Sequence, residues 1–267
     1  MPLTEFQREV LAALVANRSE ASHFAGGLVL NAPDGTSRYS KDFDLFHDAV
    51  EDLGTHSERD VKTLRTAGFQ VTLLERNKEW QQPASFRQAL VTRGNDKVTL
   101  DWAHDSAWRF FPIQRDEQLG WKLHLFDVAA NKALALSARS ETRDYVDIID
   151  LARLYSLEAI VWAACGKDPG FSPLYLLKMM RRFARIVPGT LEEIKARDLD
   201  PFAMKVEWME ICDHAEAEMI RLADTRLDMP IGVAFVDARG NPGWIGGNPN
   251  LQIHHPSLRG CWPAMHA

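Results

Sequence analysis

Residues Arg38–Phe46 read RYSKDFDLF and place two aspartates, Asp42 and Asp44, on an apolar run. Side chains alternate between the faces of a β-strand, so both carboxylates would point to one face while Phe43 and Leu45 point into a core. Two carboxylates on one face repel each other, and a cation between them relieves the repulsion. Mg2+ prefers such ligands, usually one or two carboxylates together with substrate phosphates. The stretch therefore predicts a strand with a divalent-metal site. The alternative is an edge strand whose two acids face water.

A glycine pair precedes this strand. Gly26 and Gly27 lie in the apolar run FAGGLVLNA, and fourteen residues separate the pair from the first aspartate. This order resembles the nucleotidyltransferase fold of the DNA polymerase beta superfamily. The pattern RxSxDxDL, with Arg38 and Ser40 at its start, is similar to the AbiEii/AbiGii toxin family of bacterial nucleotidyltransferases. The gap is a few residues longer than the usual family spacing, and the turn-rich residues 31–37 (NAPDGTS) account for the excess.

The resemblance implies a role for each residue of this first motif. Backbone amides at the glycine pair would reach the phosphates of a nucleoside triphosphate. The two aspartates would bind Mg2+ or Mn2+, and the arginine and serine of RxSxDxDL would contact the nucleotide. Phosphoryl transfer needs little covalent help from a protein, so these residues would act by positioning and charge neutralisation.

A third acid follows in the segment KVTLDW, residues 97–102. The segment reads as the second strand of a hairpin, after the turn Gly94–Asp96. The superfamily usually places another acid on a later strand beside the first two, where it acts on the attacking hydroxyl or shares the metal. Asp101 suits that position, and His104 and Asp105 are close competitors. The structural alternative is a strand-end aspartate that caps a turn.

A second motif spans Leu123–Tyr155 and is predicted to form two helices. The first helix would run to Ala138 with Asp127 as its N-cap. Lys132 and Arg139 are seven residues apart, so they lie nearly on one face of that helix. The structural alternative is a pair of amphipathic helices with solvated polar faces and intrahelical ion pairs.

The second helix of this motif begins near Glu141 and carries the pattern RDxxD, formed by Arg143, Asp144 and Asp147. The order of a lysine, an arginine and RDxxD resembles the later motifs of the AbiEii family, in which a lysine and this element line the nucleotide site. The resemblance implies that the lysine and arginine of the first helix neutralise charge on the phosphates. It places Asp144 with the catalytic residues and the rest of RDxxD with the nucleotide-binding residues. It covers residues 25–155, about half of the chain.

The composition is that of an ordinary globular protein. Among 267 residues, 46% are hydrophobic and 25% charged, and the net charge is −6. A general polyanion binder is therefore excluded, and any nucleic-acid contact has to be a local basic patch. Neither a membrane span nor an export signal is recognisable, so we expect a cytoplasmic protein. The three widely spaced cysteines are expected to be reduced thiols.

These observations predict an α+β fold with three segments. Residues 1–120 would form a polymerase-beta-like nucleotidyltransferase domain with a mixed sheet and helices. Residues 121–228 would form a helical domain, a bundle that completes the nucleotide cleft. Residues 229–267 would form a short strand and turn followed by an irregular tail.

The spacing of apolar residues predicts further elements within these segments. We expect a strand over residues 24–30 and helices over residues 57–67 and 191–196. In the helix that carries RDxxD, the side chains of Val146, Ile149 and Leu154 would face a core.

One helix of the C-terminal region carries a basic stripe. Lys178, Arg181, Arg182 and Arg185 recur at the spacing of one helical face. In an acidic chain, this local concentration of cations is a candidate surface for the phosphates of an RNA acceptor. Solvated cations on an amphipathic helix are the alternative.

The predicted function is metal-dependent transfer of a nucleotide from a nucleoside triphosphate to an acceptor, with RNA such as tRNA as the first candidate. The resemblance implies a bacterial toxin of a toxin–antitoxin or phage-defence system, with a separately encoded antitoxin as partner. Two alternatives stay open. The acceptor could be a small molecule, as in antibiotic-modifying members of the superfamily, or the protein could bind nucleotides without transferring them. The retained acids and lysine argue against the last alternative.

Overall fold

The computed structural model describes residues 3–33, 35–74, 85–139, 141–181, 199–243 and 251–264. The chain divides into two compact units. Unit 1 comprises Met1–Ala107 and Ile113–His124, and unit 2 comprises Trp108–Pro112 and Leu125–Ala267. Each unit is described separately below.

Unit 1 is built on a mixed seven-stranded sheet. Its strands are β1 (Ser22–Ala25), β2 (Asp42–His47), β3 (Gln70–Leu73), β4 (Phe86–Arg93), β5 (Asp96–His104), β7 (Gln114–Asp116) and β8 (Gly120–Lys122). They lie side by side in the order β3-β4-β5-β2-β1-β8-β7. Strand β2 pairs with β5 in parallel and with β1 in antiparallel orientation. Because β2 has a neighbour on each side, the expectation of an edge strand with solvated acids is wrong.

The predicted alternation along β2 is confirmed. Phe43 and Leu45 are fully buried, as are Leu100 and Trp102 on β5. The indole Nε1 of Trp102 donates a hydrogen bond of 2.8 Å to the carboxylate of the buried Asp60. This face of the sheet is therefore the core of unit 1, and the opposite face carries the aspartates of β2.

Three helices lie in the described part of unit 1, namely α1 (Glu5–Val15), α2 (Gly26–Asn31) and α3 (Val50–Thr66). Thr4 and Gln7 form a reciprocal capping box at the start of α1. Helix α3 carries Asp60, and it begins earlier than the predicted start at Ser57 because its buried face already includes Leu53. Its polar first turn hides the apolar periodicity from a reading of the sequence alone.

The apolar run after Phe24 differs from the prediction. It was expected to form one strand as far as Leu30, but β1 ends at Ala25 and α2 begins at Gly26. Gly26 has φ +60°, in the left-handed region that favours glycine. A short apolar run fits a buried strand and a buried helix equally well, so periodicity does not separate the two.

Unit 2 contains five described helices and four short strands. The helices are α4 (Leu125–Ala138), α5 (Thr142–Tyr155), α6 (Leu157–Ala164), α7 (Pro173–Arg181) and α8 (Pro201–Thr225). The strands are β6 (Trp108–Arg109), β9 (Ala234–Val236), β10 (Gln252–His254) and β11 (Ser257–Leu258), paired as β9 with β10 and β6 with β11. Helices α4 and α8 each pack against α5, α6 and α7. The predicted helix over residues 191–196 lies outside the described residues.

Asp127 serves a purpose that the sequence pattern does not reveal. It was expected to cap α4, but that helix begins at Leu125 and the Asp127 side chain is fully buried within it. Its two carboxylate oxygens accept hydrogen bonds of 3.0 Å from the backbone N–H groups of Phe110 and Phe111. Lys167 lies 2.8 Å from the same carboxylate. The side chain therefore fastens the short segment Trp108–Pro112 to unit 2.

The segment expected to be an irregular tail contains two of these strands, β10 and β11. His254 at the end of β10 is buried, and its Nε2 lies 2.8 Å from the carbonyl oxygen of Phe110. This contact and the β6–β11 pairing tie the C-terminal residues to the start of unit 2. None of the described helices combines the length and the apolar composition that crossing a bilayer requires.

Candidate active site

Three aspartates lie on one face of the unit 1 sheet. Asp42 and Asp44 on β2 are partly exposed, in alternation with buried neighbours. In the parallel pairing of β2 with β5, Asp44 lies directly beside Asp101, which is also partly exposed. The structure thus places Asp101, which is distant in the sequence, beside the Asp42 and Asp44 pair. His104 alternates to the other face of β5, and Asp105 follows the end of the strand, so neither shares this row.

The residues before β2 form contacts that support the strand. The Ser40 hydroxyl donates a hydrogen bond of 2.9 Å to the backbone oxygen of Asp42. Gln7 Nε2 donates one of 2.8 Å to the backbone oxygen of Ser40. Arg38 is buried and donates from Nη1 to the backbone oxygen of Tyr39 at 2.9 Å. Arg38 and Ser40 therefore stabilise the chain at the start of β2. Their contact with a nucleotide stays a prediction.

The glycine pair makes room for side chains of this motif. A Cβ atom on Gly26 would overlap the Oδ2 atom of Asp44, and one on Gly27 would lie 2.5 Å from Nη2 of Arg38. Asp44 pairs in register with Ala25, the residue before the glycines. Glycine is thus required here because the Asp44 carboxylate and the Arg38 guanidinium occupy the space of two side chains. The sequence predicts that the backbone of the glycine pair approaches a phosphate. In the structure, this backbone lies close to the Asp44 carboxylate and the Arg38 guanidinium.

Gly26→Ala is expected to reduce the free energy of unfolding by about 3 kcal/mol, because it combines a strained φ with the overlap against Asp44. Gly94→Ala is the matched control. Gly94 has φ +61°, and among the described residues nothing lies within 4 Å of a Cβ atom built there. The control should lose only the strain, about 1 kcal/mol. Urea unfolding of both variants measures the difference, and equal losses would show that Asp44 does not need the space.

The donor set on this face suits a hard divalent cation. Carboxylate oxygens are the ligands that Mg2+ and Mn2+ prefer, and Mg2+ typically takes only one or two from the protein. Among the residues that the structure describes, no group of three or more acidic, histidine or cysteine side chains is close enough to hold a metal together. Asp42 and Asp44 therefore fit a cation that completes its coordination with other oxygen ligands.

Unit 2 contains a second cluster of predicted residues. Lys132 Nζ on α4 lies 2.9 Å from Oδ1 of Asp144 and 2.8 Å from Oδ2 of Asp147, both on α5. Arg139 Nε lies 2.7 Å from the other oxygen of Asp144. Both carboxylates are fully buried, and 9% of the Lys132 side chain is exposed. The alternative of solvated polar faces therefore does not hold for Lys132, Asp144 and Asp147, whose buried ion pairs join the two helices.

In this cluster, the positive charges of Lys132 and Arg139 face the negative charges of Asp144 and Asp147. Burial alone would raise the pKa of Asp144, but the charges and hydrogen bonds of Lys132 and Arg139 outweigh it and lower that pKa. The hydrogen bond to Asp144 raises the pKa of Arg139. Arg143, also predicted here, lies 3.8 Å from Glu141 and is about one-third exposed. Lys132 and Arg139 thus favour the ionised form of Asp144, and Lys132 Nζ also lies 2.8 Å from the buried carboxylate of Asp147.

The apolar side of α5 also differs in one residue from the expectation. Val146 and Ile149 are buried as predicted, but Leu154 is 59% exposed. It lies in the last turn of α5, one residue before the helix ends at Tyr155. The buried face of the helix therefore ends before the helix does.

Two members of the basic stripe are described. Lys178 is exposed, whereas Arg181 pairs with Asp213 at 2.6 Å and with Glu216 at 2.8 Å. The two acids on α8 therefore neutralise much of the Arg181 charge. Arg182 and Arg185 lie outside the described residues. The role of the stripe in binding RNA stays a prediction.

Comparison with known proteins identifies the fold. No protein-family model matches the chain, and no curated protein matches it in sequence. The structure is similar to MenT4, a nucleotidyltransferase toxin from Mycobacterium tuberculosis, with a TM-score of 0.57 and 15% identity over 82% of this chain and 85% of that chain. JHP933 from Helicobacter pylori is matched at a TM-score of 0.49 and 15% identity, over 82% of this chain and 92% of that one. The mixed α+β fold is thus one that a nucleotidyltransferase adopts.

Proposed function

We propose that this protein is a metal-dependent nucleotidyltransferase, which transfers a nucleotide from a nucleoside triphosphate to a hydroxyl group of an acceptor. The observation that carries the proposal is the row formed by Asp44 and Asp101, with Asp42 on the same face. Like charges directly opposite each other on neighbouring strands destabilise a sheet, and a bound cation would relieve that repulsion. The similarity of the fold to a nucleotidyltransferase supports the same conclusion.

Asp42 and Asp44 would bind the divalent cation, Mg2+ or Mn2+. A bound cation of this kind neutralises charge on a triphosphate and fixes its orientation. The strand contributes by presenting both carboxylates in a fixed alternation above a rigid core of Phe43 and Leu45. Such preorganisation matters because a site that has to rearrange loses much of its electrostatic advantage.

The reaction replaces a phosphoanhydride bond of the nucleoside triphosphate with a phosphate ester bond to the acceptor. The oxygen of the acceptor hydroxyl forms a bond to the α-phosphorus while the bond from that phosphorus to the pyrophosphate oxygen breaks. Pyrophosphate leaves with the electron pair, and the hydroxyl proton has to be taken up by a base. Asp101 is our candidate for that base because it lies in register beside Asp44 on the same face. Its carboxylate would accept the proton as the oxygen attacks.

The unit 2 cluster is proposed to contribute charge neutralisation. Lys132, with Arg139, would act on the β- and γ-phosphates, and Arg143 would contact the nucleotide. Asp144 and Asp147 would hold the lysine and the arginine in position. The ion pairs of Lys132 with both aspartates agree with the second part of this role.

The proposed acceptor is RNA, with tRNA as the first candidate, and the proposed biological role is that of a toxin controlled by a separate antitoxin. Transfer assays with each of the four nucleoside triphosphates, labelled at the α-phosphate, test this. Total RNA and a metabolite extract are supplied as acceptors, with Mg2+ or with EDTA. We expect label in RNA only when the metal is present. Label in a small molecule would show that the acceptor is a small molecule and not RNA. Nucleotide binding without transfer would overturn the proposed activity.

A further inference from the structure

Asp101 is the middle member of a polar row that crosses three adjacent strands. In register, Asp44 on β2 lies on one side of it and Gln88 on β4 lies on the other. Residues in register on neighbouring strands point to the same face of a sheet and lie close enough to interact. Gln88 therefore belongs to the same face as the acids, although no motif includes it.

The contact between Gln88 and Asp101 is direct. Gln88 Nε2 donates a hydrogen bond of 2.7 Å to Oδ1 of Asp101. A hydrogen bond from a neutral donor to a carboxylate is stronger than one between two neutral groups, and it fixes the orientation of the carboxylate. The bond also directs one oxygen of Asp101 toward β4, on the side away from Asp44. Two carboxylates in register repel each other, so a donor on the far side of one of them keeps the pair ordered.

We infer that Gln88 is a positioning residue of the transfer reaction, which orients the Asp101 carboxylate to take up the proton of the attacking hydroxyl. The inference rests on the proposed function. It assigns to the strand β4 a part in the site that neither the motifs nor the fold similarity indicates.

The choice of a carboxamide at this position has a physical reason. A lysine or arginine would also bind the Asp101 carboxylate, but its positive charge would compete with a metal for the acids. Glutamine donates a hydrogen bond without adding charge. The neighbouring cation on the same strand, Arg87, lies on the other face, where it donates to the Ser57 hydroxyl at 3.0 Å. The face that carries the aspartates thus keeps its negative charge, while Asp101 still accepts a hydrogen bond from Gln88.

Gln88→Met tests the inference because methionine keeps the length of the side chain and removes the donor. We expect the single-turnover rate of nucleotide transfer to fall about ten- to a hundredfold, the usual effect of losing a residue that orients a reacting group. The affinity for a nucleoside triphosphate with Mn2+, measured by calorimetry, should change about twofold at most, because Gln88 contacts the acid and not the metal ligands. Gln88→Glu should slow transfer at least as much, since it places a second carboxylate against Asp101.

A double-mutant cycle with Asp101→Asn separates positioning from a structural role. If Gln88 acts through Asp101, Gln88→Met has no further effect on the rate once Asp101 is Asn. Thr92→Val is the control, because Thr92 lies on the same strand and face but pairs with Gln70 and Lys97 away from the acids. It should transfer at the wild-type rate. Thermal melting of each variant shows whether a slow rate reflects loss of the fold.

The outcomes are distinguishable from a failure of the proposed function. A wild-type protein that transfers no nucleotide contradicts the proposed function and the inference with it. A wild type that transfers normally, together with an equally fast Gln88→Met, contradicts the inference alone. Effects of Gln88→Met and Asp101→Asn that multiply in the double variant would also overturn it, because independent effects show that Gln88 does not act through Asp101.

Discussion

Asp44→Asn is expected to slow nucleotide transfer by about a thousandfold, a loss of about 4 kcal/mol of transition-state stabilisation. The substitution keeps the shape of the side chain and removes the charge that would bind the cation. Asp44 lies between the glycine turn on one side and Asp101 on the other, so it occupies a central position in the proposed site. Single-turnover transfer in saturating Mg2+ measures the effect.

The stability of Asp44→Asn should not fall in parallel with its activity. Removing one of three like charges on a face relieves repulsion, and we expect the melting temperature to stay close to that of the wild type or to rise. Asp96→Asn is the control, because Asp96 is an exposed aspartate in the hairpin turn at the start of β5. It should retain full activity. Transfer by Asp44→Asn at the wild-type rate would remove the acid face from the reaction.

Features that depend on neighbouring residues could be predicted from the sequence. The alternation of Asp42 and Asp44 with Phe43 and Leu45 is such a feature, because the period of a strand is fixed by its local geometry. The structure confirms it. The pairing of β2 with β5 is different. It joins residues far apart in the chain, so the position of Asp101 beside Asp44 could only be expected from the order of strands in a similar fold.

Gln88 shows that some of the missing information was present in the sequence. The turn between Arg93 and Asp96 sets the register of the β4–β5 hairpin, and the same register brings Gln88 opposite Asp101. A two-residue turn at Gly94 therefore predicts this pair once both strands are assigned. The hydrogen bond between the two side chains still has to be read from the structure.

The roles of Gly26 and Asp127 could be recognised only from the atomic positions in the structure. A glycine in an apolar run is compatible with close approach to a phosphate, to a side chain or to another strand, and only the structure shows Asp44 against it. An aspartate near a helix start is most simply interpreted as a cap. Asp127 instead accepts hydrogen bonds from Phe110 and Phe111, which precede it by more than a dozen residues. Polar residues whose partners are distant in the chain have no local signature.

Lys132 presents the same difficulty. A lysine among Ala and Leu residues, followed by acids at helical spacing, gives one pattern for a solvated helix face and for a buried ion-pair network. The two cases differ greatly in energy. An exposed lysine can be replaced at a cost of a few tenths of a kcal/mol, whereas one partner of a buried ion pair cannot. The burial of Asp144 and Asp147 decides for the second case.

Lys132→Met is therefore expected to lower the free energy of unfolding by about 3 to 5 kcal/mol, because it leaves buried carboxylates without their shared cation. Arg139 still binds Asp144, which should limit the loss at that carboxylate. Arg153→Met is the control. Arg153 forms ion pairs with Asp150 and Glu207 at similar distances, but its side chain is 54% exposed. Replacing it should cost about 1 kcal/mol or less.

The charge-balanced variant Lys132→Met/Asp147→Asn separates the structural role of Lys132 from a role in catalysis. Removing both partners of a buried pair is far less costly than removing one, so this variant should recover most of the lost stability. If Lys132 also neutralises charge on the triphosphate, the stable double variant should still transfer about a hundredfold more slowly than Asp147→Asn alone. If the lysine serves only to compensate the aspartates, the two variants should transfer at the same rate. Equal rates would leave the acids of unit 1 as the proposed catalytic residues and remove Lys132 from the site.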